Sequence, residues 1–294
     1  MALRPRVDGA TVVITGASSG IGKALAMLLA PRAASLVLVA RRGDALHELR
    51  TALLASRPAL AVHDHACDLT DGAALDALAD QVLAQCAGVD VLVNNAGAGD
   101  FALLEVASGA RLDAMLRLNI GAPVQLTRRL LPALRAAGRG GIVNIGSGAG
   151  LSWMPGMAAY VGSKHFIDGF SESLRLELAA DGLVVTQVCP GPVASGFDAA
   201  AGIDPGRMGA VASWLRIGAE QCARESLHGF EQGRALVIPG ARFRAAMHLQ
   251  AMTPRFMQRW AMRSALQLPA LLDARATRAG PATSDAPATP VPRP

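Results

Sequence analysis

"TVVITGASSGIGKALAMLLA", residues 11–30, runs from a short β-branched segment through a glycine-rich turn into a helix-length apolar pattern. Its turn glycines are Gly16, Gly20 and Gly22, spaced GxxxGxG. Glycines between a strand and a helix allow a tight turn and let the backbone approach a pyrophosphate, which the free N–H groups of the helix start can bind. The spacing differs from the common GxGxxG fingerprint, and a tight turn without a ligand is the alternative interpretation.

The alternation of strand and helix patterns continues along the chain. Short apolar runs predict strands at 11–15, 35–40, 60–66, 89–95, 141–147, 183–189 and 235–239, and helix-length segments lie at 20–32, 43–56, 71–86, 110–137 and 157–181. Mostly continuous apolar character is typical of strands buried on both faces of a parallel sheet. The pattern therefore predicts an α/β fold, a Rossmann-type doubly wound parallel sheet of about seven strands in a single domain.

Charge and composition divide the chain into three parts. We expect a dinucleotide-binding catalytic domain at 1–240, a helical extension at 241–278 and a disordered Pro/Ala/Thr-rich tail at 279–294. Residues 242–294 carry eight arginines and two aspartates, whereas residues 1–241 have a net charge of −1. Because the basic pI belongs to the C-terminal end, the body of the protein is not expected to bind nucleic acid.

The cysteines and the N-terminus indicate a cytoplasmic protein. Cys67, Cys86, Cys189 and Cys222 form no CxxC pair and have no histidine cluster near them, so we expect free thiols and no metal site. No apolar h-region precedes the first strand, and no run reaches the ~18 apolar residues that span a bilayer.

The end of the second predicted strand bears on the choice of cofactor. It reads "VLVARRGD", with Arg41 and Arg42 where an NAD-preferring site would place an acidic residue for the ribose 2′-OH. Guanidinium groups favour a 2′-phosphate, which predicts NADP(H), although a solvated basic loop is the alternative. Asp68 follows the third strand and is placed to reach the adenine edge, or to cap the next helix together with Thr70.

Tyr160 is the only tyrosine, and Lys164 is one of only two lysines. Residues four apart share one face of a helix, so the two side chains are predicted neighbours. An ammonium group ~4 Å from a phenol could lower its pKa by at most about three units before desolvation acts in the opposite direction. Such a tyrosine is a usable proton donor and acceptor.

Ser147 stands at the end of the fifth predicted strand, between Gly146 and Gly148. The carboxyl ends of strands in such sheets face the ligand crevice, where a hydroxyl could bind a substrate oxygen opposite Tyr160. A turn or cap serine is the equally weighted alternative.

Together these residues resemble the short-chain dehydrogenase/reductase family over about residues 8–240. The family's TGxxxGxG, NNAG, YxxxK and PG motifs match Thr15 to Gly22, Asn94 to Gly97, Tyr160 with Lys164, and Pro190 with Gly191. The catalytic asparagine and serine match Asn119 and Ser147, whereas Ser195 replaces the threonine that usually follows the PG motif.

The resemblance implies specific roles for these residues. Tyr160 would be the general acid in carbonyl reduction, Lys164 would tune it and bind the nicotinamide ribose, Ser147 would position the substrate oxygen, and Asn119 would hold a proton-relay water. Members are commonly dimers or tetramers, so a homodimer or homotetramer is expected. The predicted cofactor-binding residues are Gly16, Ser18, Ser19, Gly20, Ile21, Gly22, Arg41, Arg42, Asp68, Asn95, Tyr160, Lys164, Pro190, Gly191, Val193 and Ser195.

The segments around the site predict an apolar carbonyl or alcohol substrate, although core packing explains the same residues equally well. They contribute Trp153, Met154, Met157, Phe197, Met208 and Trp214, and residues 193–215 are a candidate lid. A non-catalytic NADP(H)-binding sensor or scaffold is the alternative function. Residues 242–272 alternate arginine with apolar side chains, which fits packing on the body or on a second subunit, or contact with a membrane surface.

Overall fold

The computed structural model describes residues 4–202 and 210–265. Its strands are β1 (Thr11–Thr15), β2 (Ser35–Ala40), β3 (Ala61–Ala66), β4 (Val91–Asn94), β5 (Gly141–Ile145), β6 (Val184–Val188), β7 (Val193–Ala194), β8 (Ile217–Gly218) and β9 (Leu236–Val237). Its α-helices are α1 (Gly20–Leu29), α2 (Gly43–Ser56), α3 (Gly72–Gln85), α4 (Gly109–Leu116), α5 (Ala122–Ala137), α6 (Ala158–Glu177), α7 (Phe197–Ala200), α8 (Ala210–Leu215), α9 (Ala219–Glu231), α10 (Ala241–Met252) and α11 (Arg255–Ala265).

Seven strands pair in the order β3-β2-β1-β4-β5-β6-β9, all parallel, which confirms the predicted fold class. β7 and β8 form a separate parallel pair. The strand order reverses between β1 and β4, so the segments that follow these two strands leave the sheet in opposite directions. In open α/β sheets such a switch point is where a ligand crevice forms.

Alternating side chains of the strands bury two separate cores. Val12 and Ile14 of β1 pack in the core that includes α1, α2 and α9, whereas Val13 packs in the core that includes α3, α5 and α6. Every residue of β2 is buried, as expected for a strand covered on both faces. The same expectation is wrong for β3, in which only Val62 is buried, because β3 is an edge strand with β2 as its sole neighbour.

The predicted helix 110–137 has a π-helical segment inside it. The chain runs from α4 through Arg117–Gly121, where the backbone is π-helical, directly into α5. Asn119 lies in this segment and is buried. π-Bulges often occur at functional sites because the extra residue changes which side chains face inward.

Helix α6 buries one stripe of side chains, in agreement with its predicted amphipathic face. Tyr160, Lys164, Ile167, Ser171 and Leu174 recur at intervals of three or four residues and are all buried. The shared face predicted for Tyr160 and Lys164 is therefore present in the folded chain.

The chain forms two compact units, residues 1–253 and 254–294. α10 belongs to the first unit, so that unit extends beyond the boundary that composition alone places at residue 240. α11 begins in the second unit directly after Pro254. Residues 266–294, with the tail expected at 279–294, lie outside the described residues. Within the described part of the chain, no helix is both long and apolar enough to cross a bilayer.

Candidate active site

The glycine turn after β1 is held by an asparagine from the turn after β4. Asn95 donates from Nδ2 to the carbonyl oxygens of Thr15 at 2.8 Å and Gly16 at 3.2 Å. Gly16 has φ +66°, and a Cβ there would lie 2.8 Å from Asn95 Nδ2. Both the left-handed backbone and the close approach require glycine. Asn95, predicted to line the cofactor, thus acts in this structure by fixing the shape of the turn.

The start of α1 is built to receive an anion. Ser19 is its N-cap, yet no side chain among the described residues caps the free N–H groups of this helix, and its first turn has no acidic residue. By contrast, Asp71 caps α3 by accepting from Ala73 N and Ala74 N. Uncapped N–H groups and the positive end of the helix dipole together favour phosphate.

Ser195 lies directly over this turn. A Cβ on Gly20 would come within 2.9 Å of Ser195 Cβ, and Gly20 has φ +56°. The segment after β6 therefore approaches the glycine turn so closely that only a residue without a side chain fits at position 20. Such a cradle fits the pyrophosphate of a dinucleotide, although roles for Ser18, Ser19 and Ile21 stay predictions.

The two arginines after β2 lie beside the same turn. Arg42 donates from Nη2 to Ser18 Oγ at 3.2 Å. Hydrogen bonds from Thr70, with a smaller contribution from the charge of Arg41, lower the pKa of Asp68. Both guanidinium groups are exposed and stand at the carboxyl edge of the sheet.

The alternative role of Asp68 as a helix cap is wrong. Asp68 Oδ1 accepts from Thr70 N at 3.0 Å and from Thr70 Oγ1 at 2.9 Å, within the loop. The cap of α3 is Asp71, because the helix begins only at Gly72 and its first N–H groups lie out of reach of position 68. The exposed carboxylate of Asp68 remains available to a ligand at this edge.

Tyr160 and Lys164 lie together beneath the surface. Tyr160 is 7% exposed and Lys164 is 5% exposed. The Lys164 Nζ lies 5.8 Å from the centroid of the Tyr160 ring and donates to the carbonyl oxygen of Ile145 at 3.2 Å. The ammonium group is therefore anchored to the end of β5, next to the strand terminus that carries Ser147.

Burial dominates the acid–base properties of this pair. It raises the pKa of the Tyr160 phenol to about 12, while the Ser147 hydroxyl acts in the opposite direction. Burial also lowers the pKa of Lys164 to about 8. The phenol's pKa was expected to fall, but its net shift is upward, because burial, the largest cause, disfavours the phenolate.

Ser147 caps a turn, and its role in binding a substrate oxygen stays a prediction. Its Oγ accepts a hydrogen bond from Ala149 N at 3.1 Å and caps a short 3₁₀ turn, Gly148–Leu151. The same hydroxyl lies close enough to the phenol of Tyr160 to act against the rise in its pKa. The turn thus orients the serine toward the tyrosine.

Asn119 is linked to the backbone of the loop after β4. Its Oδ1 accepts from Ala98 N and its Nδ2 donates to Ala98 O, both at 2.9 Å, and Nδ2 also donates to Ser163 Oγ at 3.0 Å. A Cβ on Gly97 would lie 3.3 Å from Asn119 Oδ1 and 3.4 Å from Lys164 Nζ. The predicted fourth catalytic side chain is therefore a neighbour of Lys164, and its role in holding a relay water stays a prediction.

The PG motif and the residues after it run along the same edge. Pro190 O accepts from Gly148 N at 2.8 Å, which ties this turn to the serine loop. Val193 is buried and pairs with Ile217 in the small β7–β8 sheet. Ser195 Oγ donates to Val193 O at 3.3 Å.

An apolar cluster surrounds the phenol. The Phe197 ring lies 5.6 Å from the Tyr160 ring, and Met157 is buried in the same cluster. Of the other side chains expected around the site, Trp153 is half-buried, Met154 and Trp214 are exposed, and Met208 lies outside the described residues. The cluster also contains Met115 and Phe101, which the sequence pattern did not identify.

Below the site lies a buried polar network that the sequence motifs do not predict. Asn94 Nδ2 donates to Asn144 Oδ1 at 2.9 Å and to Thr127 Oγ1 at 3.1 Å, and Asn144 Nδ2 donates to Ser171 Oγ at 2.9 Å. The network joins β4 and β5 to α5 and α6, the helix that carries Tyr160. The NNAG motif signals Asn94, but no motif signals its partners, because they come together only when the strands pair.

The four cysteines are free, as predicted. Cys189, next to Pro190, is wholly buried, and burial raises the pKa of its thiol to about 12. The uncharged thiol packs with Ile238, Met247 and Phe243 beside the site. It therefore fills space at the end of β6 and supplies no charge at neutral pH.

Comparison with known proteins places this geometry in a family. A family model described as short chain dehydrogenase matches residues 10–205. The bovine (Bos taurus) protein "Dehydrogenase/reductase SDR family member 7B" is 38% identical over 194 residues, which cover 64% of this chain and 59% of that protein. The matches to three of the curated relatives span only 55–63% of those proteins' length.

Two solved structures share the fold. A short-chain dehydrogenase from Sphingobium yanoikuyae in complex with NADPH is 31% identical with a TM-score of 0.72, covering 84% of this chain and 97% of that chain. A short chain dehydrogenase/reductase from Burkholderia phymatum in complex with NAD is 27% identical with a TM-score of 0.73, covering 83% of this chain and 94% of that chain.

The pKa of Tyr160 can be read directly, because the chain contains one tyrosine. In a titration of the ligand-free protein followed at the tyrosinate absorption band, we expect no phenolate below the pH of alkaline unfolding, since burial raises the pKa to about 12. The urea-unfolded chain is the control and should titrate near the ordinary tyrosine pKa of about 10. Phenolate in the native protein at pH 8 to 9 would show that the lysine's charge outweighs desolvation.

Proposed function

The chain belongs to the short-chain dehydrogenase/reductase family, and we propose that it is an NADP(H)-dependent oxidoreductase that interconverts a carbonyl and a secondary alcohol on an apolar small molecule. Membership of the family supports an enzyme that uses a nicotinamide dinucleotide. One observation carries the proposal: Tyr160 and Lys164 are buried side by side at the sheet edge, and the Ser147 hydroxyl lies close enough to the phenol to affect its pKa.

Bound NADPH would supply the hydride. Tyr160 is the proton donor to the developing alkoxide, and Ser147 holds the substrate oxygen within reach of the phenol. Because the phenol's pKa is raised to about 12, Tyr160 is protonated at neutral pH and suited to act as an acid. The phenol thus enters carbonyl reduction in its proton-donating form.

Lys164 stabilises the phenolate that proton donation leaves behind. Its pKa is lowered to about 8 by burial, so the side chain is mostly charged at pH 7 and loses that charge as the pH rises through about 8. The ammonium group lies beside Gly97 and Asn119, where a water held by Asn119 would pass a proton from solvent to Lys164. Phe197 and Met157 next to the phenol support an apolar substrate.

The arginines after β2 support NADP(H) over NAD(H). β2 ends at Ala40 and is followed by Arg41 and Arg42, with no carboxylate for a ribose 2′-OH at these positions. The contact of Arg42 with Ser18 places its guanidinium beside the glycine turn. A 2′-phosphate there would gain charge-assisted hydrogen bonds from one or both arginines.

Replacing both arginines separates the two cofactors. The Arg41→Ala/Arg42→Ala variant should bind NADPH about 10–100-fold more weakly, since hydrogen bonds to a charged group contribute about 1.5–3 kcal/mol. Its affinity for NADH, which has no 2′-phosphate, should be unchanged; calorimetric titration measures both. Arg50→Ala is the control, because Arg50 lies on α2 and forms a salt bridge with Asp64 of β3. Equal losses for NADPH and NADH would contradict phosphate recognition.

Tyr160→Phe distinguishes the enzyme from a non-catalytic sensor on the same fold. The variant removes one hydroxyl and keeps the ring against Phe197. Turnover of a panel of apolar ketones with deuterium-labelled NADPH should fall by about 10²–10⁴-fold, the usual contribution of general acid catalysis. NADPH affinity and the melting temperature should stay at the parent values. A parent protein that binds NADPH but transfers no label to any ketone would favour the sensor.

We also propose that the C-terminal segment, residues 242–272, contacts an anionic membrane surface. In α11, Phe256 is 72% exposed and Met257 is 48% exposed. The same helix carries Arg255, Arg259 and Arg263, and no acidic residue occurs between Glu231 and Asp273. Exposed apolar side chains flanked by arginines are typical of helices that lie in a membrane interface.

Co-sedimentation with vesicles tests this contact. The full chain should sediment with phosphatidylglycerol vesicles more than with phosphatidylcholine vesicles, and added salt should weaken the binding. Phe256→Ser should reduce sedimentation, whereas Leu176→Ser, which replaces a 70% exposed side chain on α6, should not. Equal vesicle binding by the two variants would argue against a lipid partner. A change from dimer to monomer in gel filtration on Phe256→Ser would also argue against it, because the side chain would then contact a second subunit.

A further inference from the structure

The side chain of Phe243, on α10, lies against the two loops that carry Ser147 and Pro190. A Cβ on Gly191 would come within 2.6 Å of the Phe243 Cγ, and a Cβ on Gly148 would meet the Phe243 Cζ even more closely. The ring therefore rests directly on the backbone of both loops. Gly148 and Gly191 are outside the left-handed region, so the ring, and not the backbone conformation, requires glycine at both positions.

The loop that carries Ser147, called the serine loop, also contacts α6 and a second residue of α10. A Cβ on Gly150 would lie 2.6 Å from the carbonyl oxygen of Lys164, so the loop packs against α6 without an intervening side chain. At its far end, Gln250 of α10 donates from Nε2 to Ser152 Oγ at 2.8 Å. The loop thus has α6 on one side and α10 on another.

We propose that Phe243 is a positioning residue, which packs across both loops and keeps Ser147 at a fixed distance from the Pro190–Gly191 turn. The inference rests on the proposed function, because that distance matters if a substrate oxygen at Ser147 must meet a dinucleotide held by the turn. The rigid ring covers the point where the loops are joined by the hydrogen bond from Gly148 N to Pro190 O and limits how far either loop can move. Displacements of about 1 Å in such geometry can cost about 10²-fold in rate.

Substitution at position 243 should therefore change turnover more than substrate binding. Phe243→Ala should lower kcat for ketone reduction about 10–100-fold with little change in KM, and Phe243→Leu should recover part of the loss. Phe230→Leu is the matched control, because Phe230 is fully buried in the core below the sheet and should lower the melting temperature without changing kcat. A Phe243→Ala variant with the parent kcat would overturn the proposal.

Gly191→Ala gives a second, independent test. The added methyl group collides with the ring, so this variant should lose both kcat and NADPH affinity, and Phe243→Ala in the same chain should restore part of each loss. If the parent reduces no ketone, the proposed function fails, and the restored NADPH affinity alone supports the positioning role of Phe243. If each loss in the double variant equals the product of the losses in the two single variants, the two positions act independently and the proposal is overturned.

Discussion

Parallel pairing of the central strands is the constraint on which the rest of the structure depends. Because β1, β4, β5 and β6 run in the same direction, the glycine turn, Asn95, Ser147 and Pro190 all emerge at one edge. The reversal of strand order between β1 and β4 then separates the segments that follow them. Asn95 spans the two turns at that point through its bonds to Thr15 and Gly16. The site is thus a consequence of strand direction before any side chain acts.

Burial is the largest influence on the pKa of the phenol, and the Ser147 hydroxyl acts against it. Tyr160 and Lys164 are both buried, so burial disfavours the ionised form of each. Burial thus raises the pKa of the phenol and lowers that of the amine, and both shifts favour the neutral form of the side chain. The pair therefore holds a protonated phenol beside an amine whose charge depends on pH near 8. The phenol is therefore in its proton-donating form at neutral pH.

The site extends beyond the residues that its motifs name. Phe243 and Gln250 of α10 touch the loops on which Ser147 and Gly191 lie, although α10 follows the last strand of the sheet. The polar network of Asn94, Asn144 and Ser171 supports α6 from below. Close packing of bare backbone against rings and helices gives these loops few alternative positions.

The sequence by itself determined the α/β class, the seven strands, the glycine turn and the shared face of Tyr160 and Lys164, because each depends on residues close together in the chain. Only the tertiary structure decided the direction of the phenol's pKa shift, the cap at Asp71 in place of Asp68, the exposed edge at β3 and the contact of Phe243 with Gly148 and Gly191. Burial and contacts between distant segments set these features, and neither has a local signature in a single sequence.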